Sequence, residues 1–164
     1  MKVVPLALPK PLLARCHEEF KQTEIWKSST LAWEPMIKQG IFGSTLVAGC
    51  SVKTTQDIFE SVRPHIPLVD EFSASYYLWQ PMSGISIHND DKYAFSATIY
   101  LNNNWKPNYG GWFIWKDKTA GEWKTILPKE NLMVVNLDNE DHLVTIIPPE
   151  HGLLRKTIQI RGKF

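Results

Sequence analysis

The sequence has no long hydrophobic run and almost no net charge, and each absence excludes a class of protein. No stretch approaches the ~20 consecutive apolar residues that a membrane-spanning helix needs. The short apolar stretch after Lys2 contains Pro5 and Pro9, so we expect no signal peptide. A net charge of +1 gives no electrostatic reason to bind nucleic acid or an anionic membrane, and we expect neither partner.

Cysteine is scarce as well. The two cysteines, Cys16 and Cys50, have neither CxxC nor metal-type spacing. Reduced thiols in a soluble cytoplasmic protein are therefore the expectation. A chain of 164 residues without repeats or a low-complexity linker suits a single domain spanning residues 1–164. The oligomeric state is left open by the sequence.

The first half of the chain carries helical patterns. Leu12 to Gln22 has apolar residues at helical spacing, and a second helix is predicted from about Thr55 to Val62. Thr54 or Thr55 can cap this second helix, and Pro64 ends it. We therefore expect a helical outer layer over about residues 1–70.

The second half, about residues 71–164, carries strand patterns separated by turn signals. Two helices followed by about eight short strands predict a mainly β fold, an antiparallel sandwich or barrel with the helices packed outside. The polar faces of these strands either meet solvent or line a pocket. The predicted strands cover residues 73–80, 85–90, 93–101, 111–115, 122–127, 132–137, 143–147 and 153–161.

The tetrapeptide at residues 88–91 is the first candidate site. On a strand, His88 and Asp90 project to the same side, which gives an imidazole beside a carboxylate. A later histidine can complete a two-histidine, one-carboxylate set, the ligand set of non-haem Fe(II) oxygenases. We favour His142, at the start of an apolar strand, over His151, which lies in a turn. Asp91 should face away from the metal.

The last predicted strand carries a second candidate. Arg155, Thr157 and Gln159 share one face of this strand. A guanidinium on an inward face suits fork-like pairing with a carboxylate, because a buried charge needs a partner. That partner is either an acidic residue of the protein or the carboxylate of a ligand.

These residues, taken together, resemble a known family. The stretch from about Ser75 to Phe164 resembles the 2-oxoglutarate- and Fe(II)-dependent oxygenases, specifically the prolyl 4-hydroxylase-like branch. The order of the metal and arginine motif, HxD…H…R, is present, and the family's YLN…W…GG segment lies between its parts. The matching positions are His88, Asp90, His142, Arg155, Tyr100-Leu101-Asn102, Trp105 and Gly110-Gly111.

The resemblance implies a double-stranded β-helix, or jelly-roll, barrel and a set of site residues. His88, Asp90 and His142 would bind Fe(II), and Arg155 would pair with the C5 carboxylate of 2-oxoglutarate. Tyr100 and Thr157 would add hydrogen bonds to this co-substrate. O₂ would be consumed, and ascorbate is a candidate reductant.

The implied activity is that of a dioxygenase, an oxidoreductase that hydroxylates an unactivated C–H bond and releases succinate and CO₂. A prolyl residue in a peptide or protein is the first candidate substrate. The alternatives are a free amino acid, another small molecule, or a jelly-roll module that binds a ligand without catalysis.

The chain departs from the family at one position. Members often carry a second pocket tyrosine nine or ten residues before the first metal histidine, where this chain has Trp79 and Leu78. Tyr76 and Tyr77 lie just upstream, and alternation turns one of them inward without indicating which.

Overall fold

The computed structural model describes residues 1–24, 26–28 and 40–164. These residues form two α-helices, α1 (Lys10–Gln22) and α2 (Val52–Val62), and twelve β-strands. The strands are β1 (Lys2–Val4), β2 (Lys27–Ser28), β3 (Ile41–Phe42), β4 (Thr45–Gly49), β5 (Glu71–Trp79), β6 (Gly84–His88), β7 (Phe95–Tyr100), β8 (Phe113–Lys116), β9 (Trp123–Ile126), β10 (Met133–Asn136), β11 (His142–Val144) and β12 (Arg155–Lys163).

Both helices begin earlier than the sequence pattern predicts. α1 starts at Lys10, directly after Pro9, with Pro11 in its first turn, where the missing N–H costs nothing. α2 starts at Val52 because the Ser51 hydroxyl accepts a hydrogen bond from the Thr54 amide. The predicted caps of α2, Thr54 and Thr55, are therefore wrong by about one turn.

The eight predicted strands correspond in order to β5–β12, with boundaries displaced by a few residues. The N-terminal region, which we expected to be helical, also contributes the four short strands β1–β4. The sequence pattern does not reveal these four strands, which are two to five residues long.

The strands pair antiparallel in two sheets within the described part of the chain. The larger sheet has the order β1-β10-β7-β12-β5-β4-β2 and the smaller one β3-β6-β11-β8-β9. From β5 onward the chain passes repeatedly between the sheets, so that strands distant in sequence pair side by side. This is the jelly-roll arrangement of two antiparallel sheets, and the predicted mainly β, antiparallel fold is confirmed.

The two faces of the larger sheet bury different side chains. One face packs against α1 and α2 in an apolar core that includes Cys16, Phe20, Ile58, Tyr76, Phe95, Ile99, Ile158 and Ile160. The opposite face meets the smaller sheet, with Tyr77, Trp79, Ile85, Tyr100, Phe113, Trp115 and Val144 between them. The candidate site lies in this second layer.

Neither of the two described helices is long and apolar enough to cross a membrane. Cys16 and Cys50 are both free thiols.

Candidate active site

Two histidines face each other across neighbouring strands of the smaller sheet. His88 is the last residue of β6 and His142 is the first residue of β11, and the two are direct partners in the antiparallel pairing. Their ring centroids are 4.2 Å apart. Opposed residues on one sheet face bring side chains into contact, so this pairing places two imidazoles at one end of the layer.

Asp90 joins the histidines through a turn. The strand that we expected to include Asp90 ends at His88, and the chain then turns, with the Tyr93 amide donating to the Asp90 carbonyl. The Asp90 carboxylate still reaches the site, with Oδ2 3.6 Å from His142 Nε2. One ligand atom from each of His88, Asp90 and His142 lies within 4.8 Å of the others.

The histidine rings are oriented for metal binding. The Nδ1 atom of His88 lies 2.9 Å from the Ser86 carbonyl oxygen, and that of His142 lies 2.9 Å from the Glu140 carbonyl oxygen. A carbonyl accepts only from a protonated nitrogen, so Nδ1 carries the proton and Nε2 keeps its lone pair. Both rings therefore present Nε2 as a ligand atom.

The histidines are neutral at physiological pH. Burial, together with the neighbouring His142, lowers the pKa of His88 to about 4. Burial also lowers the pKa of His142, against the opposing effect of Asp90. A metal ligand must be deprotonated, so these neutral rings are ready to bind.

Asp90 is ionised and held in place. Burial by itself raises the pKa of this carboxyl, but His142 and the Ser96 hydroxyl outweigh burial and bring the pKa below its usual value. Ser96 donates its hydroxyl proton to Asp90 Oδ2. One carboxylate and two neutral imidazoles on one side of a cavity fit a divalent iron with open positions opposite.

Of the two candidate third ligands, His142 lies in the cluster. His151 ends a short 3₁₀ turn, Pro149–His151, and its side chain lies outside the described residues. Asp91 is exposed, so it points away from the cavity.

Arg155 lies in the same cavity, at the start of β12. The side chain is 1% exposed, and its guanidinium carbon is 5.0 Å from the Trp79 ring centroid and 5.2 Å from that of Tyr100. No carboxylate of the described residues lies within 4.0 Å of it, and its Nε has no hydrogen-bond partner there. Burial lowers the Arg155 pKa. A buried guanidinium without an acidic partner fits the carboxylate of a ligand.

The YLN and GG motifs hold Arg155. Asn102 donates its side-chain amide to the Leu154 carbonyl at 2.9 Å and accepts from the Lys156 amide at 2.6 Å, so it grips both neighbours of Arg155. Gly111 has φ +63°, and a Cβ there would lie 3.0 Å from Arg155 Cδ. These motifs therefore support the arginine.

Tyr100 and Thr157 are buried next to Arg155, on the face of the larger sheet that meets the smaller sheet. They are partners across β7 and β12 and are 0% and 1% exposed. Neither is among the residues that line the cavity, so their contact with a co-substrate stays a prediction. Of the two adjacent tyrosines, Tyr77 lines the cavity, whereas Tyr76 packs in the helix-covered core.

The sequence interpretation did not assign several cavity residues. The same alternation that selects Arg155, Thr157 and Gln159 also places Arg161 on their face, and this signal was available in the sequence. Thr98 donates to Gln159 Oε1 at 2.7 Å. The polar and charged lining consists of Tyr77, His88, Asp90, Ser96, Thr98, Asn136, His142, Arg155, Gln159 and Arg161, with Trp79 also in the wall.

Comparison with known proteins gives structural matches only. No protein-family model and no curated protein sequence match the chain. A prolyl-4-hydroxylase from Pseudomonas putida superposes with a TM-score of 0.73 at 17% identity, over 99% of this chain and 92% of that one. A Trichoplax adhaerens prolyl hydroxylase, solved with a hypoxia inducible factor peptide fragment, gives a TM-score of 0.75 at 13% identity, over 99% and 82%.

A third match has a different kind of ligand. HygX from Streptomyces hygroscopicus, solved with nickel, 2-oxoglutarate and hygromycin B, has a TM-score of 0.64 at 9% identity, over 98% of this chain and 82% of that one. The chain therefore has the fold of 2-oxoglutarate- and Fe(II)-dependent oxygenases, including prolyl 4-hydroxylases, as the sequence resemblance implies. Identities this low show a shared fold.

Proposed function

We propose that the protein is an Fe(II)- and 2-oxoglutarate-dependent dioxygenase that hydroxylates an unactivated C–H bond. One observation carries the proposal. Two histidines and an aspartate converge in the same cavity as a buried arginine that has no acidic partner among the described residues. A structural ion-pair network would supply that partner, whereas a site for a dicarboxylate would leave the arginine free for it.

Different residues of the cavity would bind the metal and the co-substrate. His88, Asp90 and His142 would hold Fe(II), and Arg155 would hold the distal carboxylate of 2-oxoglutarate. Bound iron with 2-oxoglutarate and O₂ supplies the oxidant that converts C–H to C–OH, with one oxygen atom going to the product and the other to succinate as CO₂ leaves. Ascorbate is the proposed reductant for iron that becomes oxidised.

The protein contributes orientation and exclusion of water. Hydrogen bonds from the histidine Nδ1 atoms and from Ser96 keep the ligand atoms directed into the cavity. Trp79 and Tyr100 hold the Arg155 guanidinium between their rings, which keeps water from its faces. We propose that Tyr100 and Thr157 assist Arg155, since both are buried beside it in the layer between the sheets.

We propose a prolyl residue in a peptide or protein as the first candidate substrate, because two of the structural matches are prolyl hydroxylases, one of them solved with a peptide. The hygromycin B complex of HygX favours a small molecule as the second candidate. Of the tryptophans that could stack on a substrate ring, Trp79 lines the cavity. Trp105 and Trp112 donate their indole N–H groups to loop carbonyls.

The proposal is tested by incubating the protein with Fe(II), 2-oxoglutarate, ascorbate and O₂ and screening peptides and free amino acids. The expected result is a mass gain of one oxygen in one of them, with an equal amount of succinate. His142→Ala should abolish both products, and His17→Ala, a histidine paired with Glu130 outside the cavity, should leave both unchanged. Equal turnover by His142→Ala and wild type would contradict the proposal.

A further inference from the structure

The cavity contains a second arginine, Arg161, whose surroundings resemble those of Arg155. The Arg161 guanidinium carbon lies 5.9 Å from the Tyr77 ring centroid and 5.2 Å from that of Tyr93. Its Nε is buried without a hydrogen-bond partner among the described residues, like the Nε of Arg155. Both arginines are on one face of β12, and both line the cavity. Each guanidinium is thus held by aromatic rings, with part of its N–H fork unused.

Arg161 lies at the end of the cavity where Asp90 is. It pairs across β12 and β7 with Ser96, the residue that donates to Asp90. Burial lowers the pKa of the Arg161 guanidinium, but Tyr77, Tyr93 and Asp90 together outweigh burial and bring the pKa above its ordinary value. No carboxylate within the described ranges is within 4.0 Å of Arg161, so this arginine forms no direct ion pair with Asp90. Its charge is largely buried and only partly compensated.

The charges of the cavity point to a further anion. Arg155, Arg161 and a divalent metal together outweigh Asp90 by three positive charges, because a histidine that ligates a metal through Nε2 is neutral. Met1 also lines the cavity, and its ammonium is paired with the Glu140 carboxylate. A dicarboxylate such as 2-oxoglutarate neutralises two of the three charges, which leaves one positive charge at the metal end.

We propose that Arg161 is a second carboxylate-binding residue of the cavity, at the end marked by the metal ligands. The inference rests on the proposed function. Two carboxylates can reach this end: the 2-oxoglutarate carboxylate nearer the metal, and a carboxylate of the substrate. The chemistry is the same in both cases, a guanidinium fork that donates two N–H groups to two oxygens.

The first arm of the test measures the affinity for 2-oxoglutarate. Ni(II)-loaded protein, which cannot turn over, is titrated with 2-oxoglutarate by calorimetry for wild type, Arg161→Met, Arg161→Lys and Lys163→Met. Lys163 is the matched control, since it is an exposed cation at the end of the same strand. If Arg161 binds the co-substrate, Arg161→Met should weaken 2-oxoglutarate at least about 10-fold. The affinity of Arg161→Lys for 2-oxoglutarate should lie between those of wild type and Arg161→Met, and the affinity of Lys163→Met should match that of wild type.

The second arm measures binding of a second acid. The twenty common amino acids, each compared with its carboxamide, are titrated into protein already saturated with Ni(II) and 2-oxoglutarate. If Arg161 binds a substrate carboxylate, wild type should prefer at least one acid over its amide about 10-fold, and Arg161→Met should lose that preference. Circular dichroism checks that each variant is folded. If Arg161→Met does not fold, Arg161→Lys replaces it in both arms.

The outcomes separate the inference from the function on which it rests. Wild-type behaviour of the Arg161 variants in both arms overturns the role of Arg161 and leaves the proposed function intact. Absence of 2-oxoglutarate binding by the metal-loaded wild type overturns the proposed function. The acid-against-amide comparison, repeated without 2-oxoglutarate, then decides for or against carboxylate binding by Arg161.

Discussion

Tyr76 and Tyr77 are adjacent on β5, yet they lie on opposite faces of the larger sheet, one apolar and the other lined by polar and charged side chains. Tyr76 packs edge-on against Phe20 at 5.5 Å in the helix-covered core, and burial raises its pKa. Tyr77 lines the cavity and lies over Arg161. The same strands therefore carry an apolar face and a polar, charged face.

The comparison indicates that the buried side chains of the two faces contribute differently to the free energy of unfolding. Burial of apolar side chains such as Ile99, Ile158 and Ile160, all 0% exposed, stabilises the fold. Burial of the Arg155 charge, which has no carboxylate partner in the described part of the chain, costs stability. The apolar core on the other face offsets this cost.

The largest effect is expected at the metal ligands. Replacing even an outer partner of a metal ligand costs about 10- to 100-fold in metal affinity, so His142→Ala should cost at least about 100-fold. The variant should stay folded, because the helix-covered core is untouched. Calorimetric titration with Ni(II), combined with circular dichroism, measures both properties. An unchanged Ni(II) affinity of the folded variant would contradict the assignment of metal binding to the cavity face.

A substitution on the apolar face should lower stability without changing metal affinity. Ile158→Ala should lower the free energy of unfolding by about 3 kcal/mol, because it leaves a cavity in a fully buried core. The metal affinity of the folded variant should match wild type. Urea unfolding and metal titration of the same preparation test this, and a parallel loss of metal affinity would mean that the faces are not independent.

Arg155→Met should change stability and co-substrate binding in opposite directions. Removing a buried charge that has no acidic partner in the described ranges should raise the free energy of unfolding of the metal-free protein by about 1 kcal/mol. The affinity for 2-oxoglutarate should fall at least about 10-fold, whereas Ni(II) binding should persist. Lower stability together with intact 2-oxoglutarate binding would identify Arg155 as a purely structural residue.

The last prediction concerns the Cys16 thiol in the helix-covered core, whose change in reactivity affects neither metal binding nor stability. Burial raises the pKa of Cys16 to about 11, and the side chain is 0% exposed. Because only the thiolate reacts, the thiolate fraction at pH 8 should be about 100-fold below that of an ordinary cysteine. Iodoacetamide should therefore modify Cys16 at least that much more slowly in the folded protein than in urea. Equal rates in the two states would show that the core is open.

The fold and much of the site were readable because local patterns agree with the final structure. The strands β6, β7 and β12 alternate between apolar and polar residues, and His142 stands directly before an apolar segment. Strand alternation predicts that Asp90 lies beside His88, but β6 ends at His88. A turn and the Ser96 hydroxyl, rather than alternation, direct the Asp90 carboxylate into the site.

Other features depend on packing between distant elements. Alternation turned one of Tyr76 and Tyr77 inward, but only the position of the helices decides which face is covered. Among the described residues, the absence of an acidic partner for Arg155 is equally a property of the assembled cavity, because the sequence does not give the distance from Arg155 to each carboxylate.

The most direct test of the metal and co-substrate site is anaerobic addition of Fe(II) and 2-oxoglutarate to the purified protein. Wild type should develop a visible metal-to-ligand charge-transfer band that saturates at one Fe(II) per chain. His88→Ala should show no band, and His17→Ala should show the full band. Folded wild-type protein that gives no band with both additions, or a His88→Ala variant that gives the wild-type band, would contradict the account.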